Sequence, residues 1–240
     1  MTAAVEPVPL QHQGPPDVSL WRLDLCFETS LDAEAFAPLS DDERERAHNF
    51  RRLEDALRFA TTRVALRKLL ARSTGVEAHA LRFTFDANRR PRLTDSTAPD
   101  FNVSHAGAYG LIAMSSVRRV GVDIEQHSDR FDWRAIMKLT LDPSEAAWIE
   151  RLDPCTQMAA FYDAWTAKEA LVKTTGAGIT RGFQHLIVLP REDNRVTLRN
   201  TIPEDMREIA AQWIAAPHRY AACVAWSWAP SSSSSSRPAR

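Results

Sequence analysis

Gly121-Val122-Asp123-Ile124-Glu125 lies in an apolar run, residues 120–126, that reads as a strand. About forty residues later, Trp165-Thr166-Ala167-Lys168-Glu169-Ala170-Leu171-Val172-Lys173 continues an uninterrupted helical pattern. Between them Leu141-Asp142-Pro143-Ser144-Glu145 reads as a helix start, and the helix is expected to end at Thr174-Thr175-Gly176. The same grammar occurs earlier in the chain. A strand over 19–27 is followed by Leu39-Ser40-Asp41-Asp42-Glu43, another helix start, and a helix over 42–72 that closes at Ser73-Thr74-Gly75. Ser40 with Glu43 matches a capping box, and Gly75 and Gly176 fit the helix-terminal position where positive φ is needed. Further strands are expected over 81–85 and 109–115 in the first unit. In the second they are expected over 186–189, 196–199 and 221–228. The echo predicts an α+β pseudodimer, two similar α/β halves with the active site in the cleft between them.

The division that follows is an N-terminal half over 18–118 and a C-terminal half over 119–229 that carries the acidic site. Residues 1–17, with Pro7, Pro9, Pro15 and Pro16, read as an extended, weakly ordered lead-in. Residues 230–240, six serines in succession after Pro230 and then Arg-Pro-Ala-Arg, read as a disordered tail.

The two quoted stretches also carry the chemistry. On a strand, residues i and i+2 point to one side about 6 to 7 Å apart, so Asp123 and Glu125 form a paired carboxylate face. On a helix, positions four apart are neighbours, so Trp165, Glu169 and Lys173 share a stripe. Each motif alone also reads as a solvated face or a surface salt bridge. If strand and helix meet, three carboxylates and a lysine converge, the oxygen-rich set that a magnesium ion on a phosphate ester requires. Trp165 reads as a core anchor, since its indole donates a hydrogen bond but accepts no proton. Gly176 and Gly178 could let backbone approach a ligand, and a cap and turn explain them equally well.

In the helix over 42–72, Phe50, Leu53, Leu57, Ala60 and Val64 recur at helical spacing and are expected to face the core. Arg44, Arg51 and Arg58, seven apart, line an adjacent face that reads as a solvated charged surface or as an anion-binding one. His105, taken alone, reads as a structural hydrogen-bonding residue.

The ordered set of motifs resembles the 4'-phosphopantetheinyl transferases, in particular the larger surfactin-synthetase-activating type. The resemblance rests on Gly121 to Glu125, on Trp165 to Lys173, and on Phe101-Asn102-Val103-Ser104-His105-Ala106-Gly107, similar to an Asn-x-Ser-His stretch upstream of the acidic strand. It spans residues 20–228 and implies the same pseudodimer. It also implies transfer of the phosphopantetheine arm of coenzyme A to a serine of an acyl or peptidyl carrier protein, releasing adenosine 3',5'-bisphosphate. By motif position, Asp123, Glu125 and Glu169 would hold Mg²⁺, and Glu169 would also act as base for the carrier serine. Lys173 would contact the pyrophosphate, with Lys168 beside it, and Ser104 and His105 the 3'-phosphate. Arg46 would bind phosphate, and Arg90-Pro91 would lie along the adenine end. The residue before that pair is usually Gly, and here it is Arg89. The alternative function is a coenzyme A-binding regulatory protein of the same fold without turnover.

Composition narrows the remaining classes. A net charge of −1 exerts no global pull on nucleic acid, although residues 41–92 hold 13 Arg or Lys against 8 Asp or Glu, a basic flank suited to an anionic ligand. No nucleic-acid-binding motif occurs. Cys26, Cys155 and Cys223 are odd in number and widely spaced, which argues against disulfides and zinc. No leader or membrane span is read. A cytoplasmic protein is expected, with no membrane or nucleic-acid partner. A monomer suffices, because an internal repeat completes the cleft without a second copy.

Overall fold

Two sheets with apolar residues on both faces divide the chain. The first half runs β1 (Ala4–Pro7), β2 (Val18–Asp24), α1 (Asp41–His48), α2 (Leu53–Thr74), β3 (Phe83–Phe85), β4 (Pro91–Leu93), β5 (Asp100–Ala106) and β6 (Tyr109–Ser115). The second runs β7 (Val120–Gln126), α3 (Trp133–Thr140), α4 (Pro143–Glu150), α5 (Pro154–Thr175), β8 (Arg195–Val196), β9 (Ile209–Trp213) and β10 (Tyr220–Ser227). The strand orders are β1-β2-β6-β5 and β7-β10-β9-β8, every pair antiparallel, with β3 and β4 forming a separate hairpin. This computed structural model describes residues 3–10, 14–95, 97–176, 183–199 and 204–229, so Gly178 and the serine-rich tail lie outside the described residues. Among the described residues no helix is long and apolar enough to cross a membrane.

Alternation along the strands sets the layers. Val18, Leu20, Leu111 and Ala113 of the first sheet share one buried cluster with Val120, Val122, Ile124, Ala222 and Val224 of the second, so the sheets pack on each other. Their outer faces take the long helices. Leu23, Ile112 and Met114 meet Leu66, Leu69 and Leu70 of α2, while Ala221, Cys223 and Ala225 meet Ala167, Ala170 and Leu171 of α5. On β7 the residues turned away from the shared core are Gly121, Asp123 and Glu125, which puts the acidic face under α5. The architecture is thus mixed α and β in two similar halves.

The similarity reaches individual side chains. Ser40 caps α1 in a reciprocal capping box with Glu43, and Asp142 caps α4 in one with Glu145. Each box glutamate then pairs with a buried cation on the long helix of its half, Glu43 with Arg67 at 2.7 Å and Glu145 with Lys168 at 2.5 Å. Each cation also donates to a carbonyl of the segment after its helix, Arg67 to Ala78 and Leu81, Lys168 to Phe183. Arg67 and Lys168 each stand eight residues before a left-handed C-cap glycine, Gly75 at φ 73° and Gly176 at φ 75°.

Several expected elements change. The helix over 42–72 is two helices, because Asn49, a poor interior helix residue, closes α1, and the chain passes through an extended Arg52 before α2 begins. Phe50 and Leu53 therefore do not face the core, at 37% and 59% exposure, whereas Leu57, Ala60 and Val64 are buried. Arg44 belongs to a different helix from Arg58, so the expected arginine face does not form. The second long helix is interrupted by Pro154, which lacks the N–H an interior position needs and starts α5 instead. Residues 186–189 form no strand, since the N–H groups of Val188 and Leu189 go to the Glu145 carboxylate instead of a ladder. The lead-in contributes β1, paired with β2. The strands β4, β5 and β9 and the helix α3 were not expected.

The β3–β4 turn answers the question raised by Arg89. Asp86 closes it, its carboxylate accepting the N–H of Asn88 at 3.0 Å and of Arg90 at 2.9 Å, and Arg89 takes φ 63°. That left-handed conformation favours Gly and costs other residues roughly 1–2 kcal/mol, partly offset by the entropy Gly loses on folding. Arg89→Gly is expected to stabilise the fold by a few tenths to about 1 kcal/mol in urea unfolding. A loss of stability would mean that the Arg89 side chain contributes more than its backbone strain costs.

Candidate active site between the halves

Asp100, Asn102 and Ser104 alternate along β5 and reach across to β7. Asp100 Oδ2 accepts the Val120 N–H at 2.8 Å, Asn102 Oδ1 accepts the Val122 N–H at 2.9 Å, and Ser104 Oγ donates to Asp123 Oδ1 at 2.8 Å. Side chains thus satisfy backbone donors on the edge of β7 that a neighbouring strand would otherwise take. The other side of β7 is fixed by Gly121, where a Cβ would collide with the Ala170 carbonyl oxygen and with Thr174. Helix and strand approach as closely as backbone allows, and Glu169 and Lys173 arrive beside Asp123.

Asp123 is the hub, 2% exposed. Its Oδ1 accepts from Lys173 Nζ at 2.6 Å as well as from Ser104, while its Oδ2 is buried without a partner among the described residues. Lys173 Nζ also lies 3.9 Å from Glu169 Oε2. Burial lowers the lysine's proton affinity, but Asp123 and Glu169 outweigh it and hold its pKa above the ordinary value. The two glutamates respond in the opposite way. Burial, then the Asp123 charge, pushes Glu125 up to about 7 against Lys173 and a hydrogen bond from the Trp165 side chain. Burial and Asp123 likewise push Glu169 to about 7 against Lys173. One ammonium does not neutralise three carboxylates at this depth. Among the described residues no group of three such donors is arranged to hold an ion as it stands.

The other expected site residues separate. His105 follows Ser104 on β5 and is exposed, its pKa lowered by desolvation and by the Arg58 and Lys173 cations. Arg58 holds the adjacent turn by donating to the Gly107 carbonyl at 2.9 Å. Arg46 is exposed on the last turn of α1, its guanidinium 4.7 Å from the centre of the Phe59 ring. Arg90 is buried, donating to Asp100 and to the carbonyls of Phe101, Val120 and Lys173, and Pro91 opens β4 beside it. Lys168 is fully buried with its ammonium on Glu145 and Phe183, so the expectation that it contacts a ligand gives way to the architectural role of its counterpart Arg67. Sequence reading missed Asp100, the role of Asn102 and the hydrogen bond that Trp165 makes to Glu125, whereas Trp165 packs against the core of its half as expected. The period-two spacing of Asp100, Asn102 and Ser104 was the available signal.

A family model described as the 4'-phosphopantetheinyl transferase superfamily matches residues 119–225, and one described as 4'-phosphopantetheinyl transferase, N-terminal, matches 30–117. The 4'-phosphopantetheinyl transferase HetI of Nostoc is 33% identical over 168 residues, 69% of this chain and 71% of HetI. This chain belongs to the 4'-phosphopantetheinyl transferase superfamily. Within it, slr0495 of Synechocystis is 38% identical over 153 residues, 63% of this chain and 62% of that protein, a match just short of two thirds of its length. The 4'-phosphopantetheinyl transferase Sfp of Bacillus subtilis is 26% identical over 160 residues, 67% of this chain and 70% of Sfp. The superfamily model covers both β7 and α5, the elements that bring Asp123, Glu125, Glu169 and Lys173 together.

Proposed function

We propose that this chain transfers the 4'-phosphopantetheine arm of coenzyme A to the hydroxyl of a serine on an acyl or peptidyl carrier protein, in a magnesium-dependent reaction within the cleft. The observation that carries this reading is the buried Asp123, clamped between Ser104 of one half and Lys173 of the other, in a chain of this superfamily. The serine oxygen forms a bond to the phosphorus that bears pantetheine. The bond from that phosphorus to the oxygen of adenosine 3',5'-bisphosphate breaks, and the bisphosphate leaves with the electron pair. The serine proton must go to a base. Glu169, with a pKa of about 7, is matched to accept it near neutral pH, help of a kind that contributes about 10² to 10⁴-fold. Lys173 brings positive charge to the pyrophosphate, and Ser104 and His105 would line its approach.

The residues present fit a divalent cation. Asp123 Oδ2, buried and without a partner among the described residues, and the carboxylates of Glu125 and Glu169 are hard oxygen donors with an excess of negative charge. A bound Mg²⁺ would neutralise charge that develops on the phosphates. Because Glu125 and Glu169 both bind protons near pH 7, cation and proton compete. Added Mg²⁺ is expected to raise the thermal unfolding midpoint clearly at pH 8 and hardly at pH 6. An equal shift at both values would remove these two glutamates from the cation site.

Incubating an apo carrier protein with this chain, coenzyme A and Mg²⁺, and measuring its intact mass, tests the function. A gain of one phosphopantetheine, abolished by a chelator, is expected. No gain across acyl and peptidyl carriers would overturn the transferase reading.

A further inference from the structure

Arg90 sits where motif position alone would assign a ligand contact, yet both terminal nitrogens of its guanidinium are committed to the protein, while Nε is buried without a partner among the described residues. The residue is 7% exposed. Nη2 donates to Asp100 Oδ2 at 2.6 Å, to the Val120 carbonyl at 2.7 Å and to the Phe101 carbonyl at 3.0 Å, and Nη1 donates to the Lys173 carbonyl. Two positions away on the same turn, Asn88 Nδ2 donates to the Gly176 carbonyl. The last carbonyls of a helix have no partner within it, and cations favour that end of the dipole. A turn of the first half therefore caps the C-terminal end of α5, the helix of the second half that carries Lys173. Asp100 bridges the two sides, because the oxygen that receives Arg90 also accepts the Val120 N–H at the start of β7. Backbone at both ends of the Lys173 to Asp123 pair is thus tied to one guanidinium.

We propose that Arg90 is a positioning residue. It fixes the terminal turn of α5 against β7, so that the Lys173 ammonium stays on the Asp123 carboxylate, and it does not contact coenzyme A. The functional part of this proposal rests on the transferase reading given above. The fork is what matters, since the contacts diverge from two nitrogens of a planar group that an ammonium does not reproduce.

The test uses Arg90→Lys, which keeps the charge, and Asp100→Asn, which keeps an acceptor for Val120 but loosens the guanidinium should the first variant fold poorly. Hydrogen–deuterium exchange of the free chain over residues 173–176 is expected to quicken about tenfold in either variant. In the carrier assay, kcat is expected to fall by about tenfold or more through the misplaced Lys173. The preference for coenzyme A over dephospho-coenzyme A, which lacks the 3'-phosphate, is expected to stay at the wild-type value. Adding Arg90→Lys to Lys173→Met should cost nothing beyond Lys173→Met alone. Loss of the coenzyme A preference would make Arg90 a ligand contact and overturn the proposal. Additive losses, or wild-type exchange over 173–176, would overturn it too. A wild-type chain inactive on every carrier would defeat the transferase reading instead, and the exchange measurement alone would then decide whether Arg90 clamps the helix.

Discussion

Glu169→Gln is expected to produce a chain more stable than the wild type at pH 8 and slower in transfer by about 10² to 10⁴-fold. Both effects come from one carboxylate held 4% exposed beside Asp123. An acid whose folded pKa is raised from 4.5 to about 7 makes its full contribution to stability below pH 4.5 and loses it as the pH climbs through 7. Above that window the wild type keeps the charged form at a cost on the order of 3 kcal/mol. Glutamine removes the charge and with it the cost, so the gain should appear at pH 8 and vanish at pH 4. The lost contact to Lys173, 3.9 Å long, offsets little. Urea unfolding at the two pH values, together with the carrier assay, checks both halves of the prediction. A variant less stable than the wild type at pH 8 would show that Lys173 neutralises Glu169 more fully than its burial implies.

Gly121→Ala should be among the most damaging small substitutions in the chain. Its methyl group would enter the space of the Ala170 carbonyl oxygen, which is backbone and cannot rotate away, and of Thr174. The helix must shift, at a cost of about 3 kcal/mol, the upper end for overpacking in a closed core. A shift near 1 Å at Glu169 and Lys173 would cost about 10²-fold in transfer even in molecules that remain folded. Gly75→Ala is the control. Among the described residues nothing lies within 4 Å of its added Cβ, yet its φ of 73° is left-handed, so a loss of about 1 kcal/mol with unaltered kcat is expected. If the two alanines proved equally mild, the close approach of α5 to β7 would not be what orients the site.

The acidic strand was legible because period-two alternation and a buried helix partner leave Asp123 and Glu125 on one face, and β7 spans the expected residues, Val120–Gln126. The two halves were legible from their repeated helix starts and glycine stops. What composition along the chain does not encode is where a backbone donor goes when a side chain competes for it. Residues 186–189 have the apolar character of a strand and lose that identity to one buried glutamate. The interruption of the second long helix was foreseeable from Pro154, whereas the break after Asn49 depends on how Leu57, Ala60 and Val64 of α2 pack against Phe36, Leu39 and Ala47 of the chain that precedes them. Arg90 and Lys168 were beyond local reading altogether. A cation in a motif looks the same whether its partner is a ligand phosphate or a distant carbonyl, and only tertiary geometry separates the two.

The matched pairs Glu43 with Arg67 and Glu145 with Lys168 bear on how substitutions distribute over the molecule. The two halves obey one blueprint, but in the first half the neighbour of the buried cation is the exposed Lys68, and in the second it is Glu169. Changes at the exposed position 68 are expected to bear mainly on local helix propensity. Changes at position 169 are expected to alter transfer while the neighbouring Glu145 and Lys168 pair keeps the architecture. Tolerance measured across the two long helices should therefore agree at the buried cations and diverge one residue later, dividing what the duplicated scaffold demands from what a single copy was recruited to do.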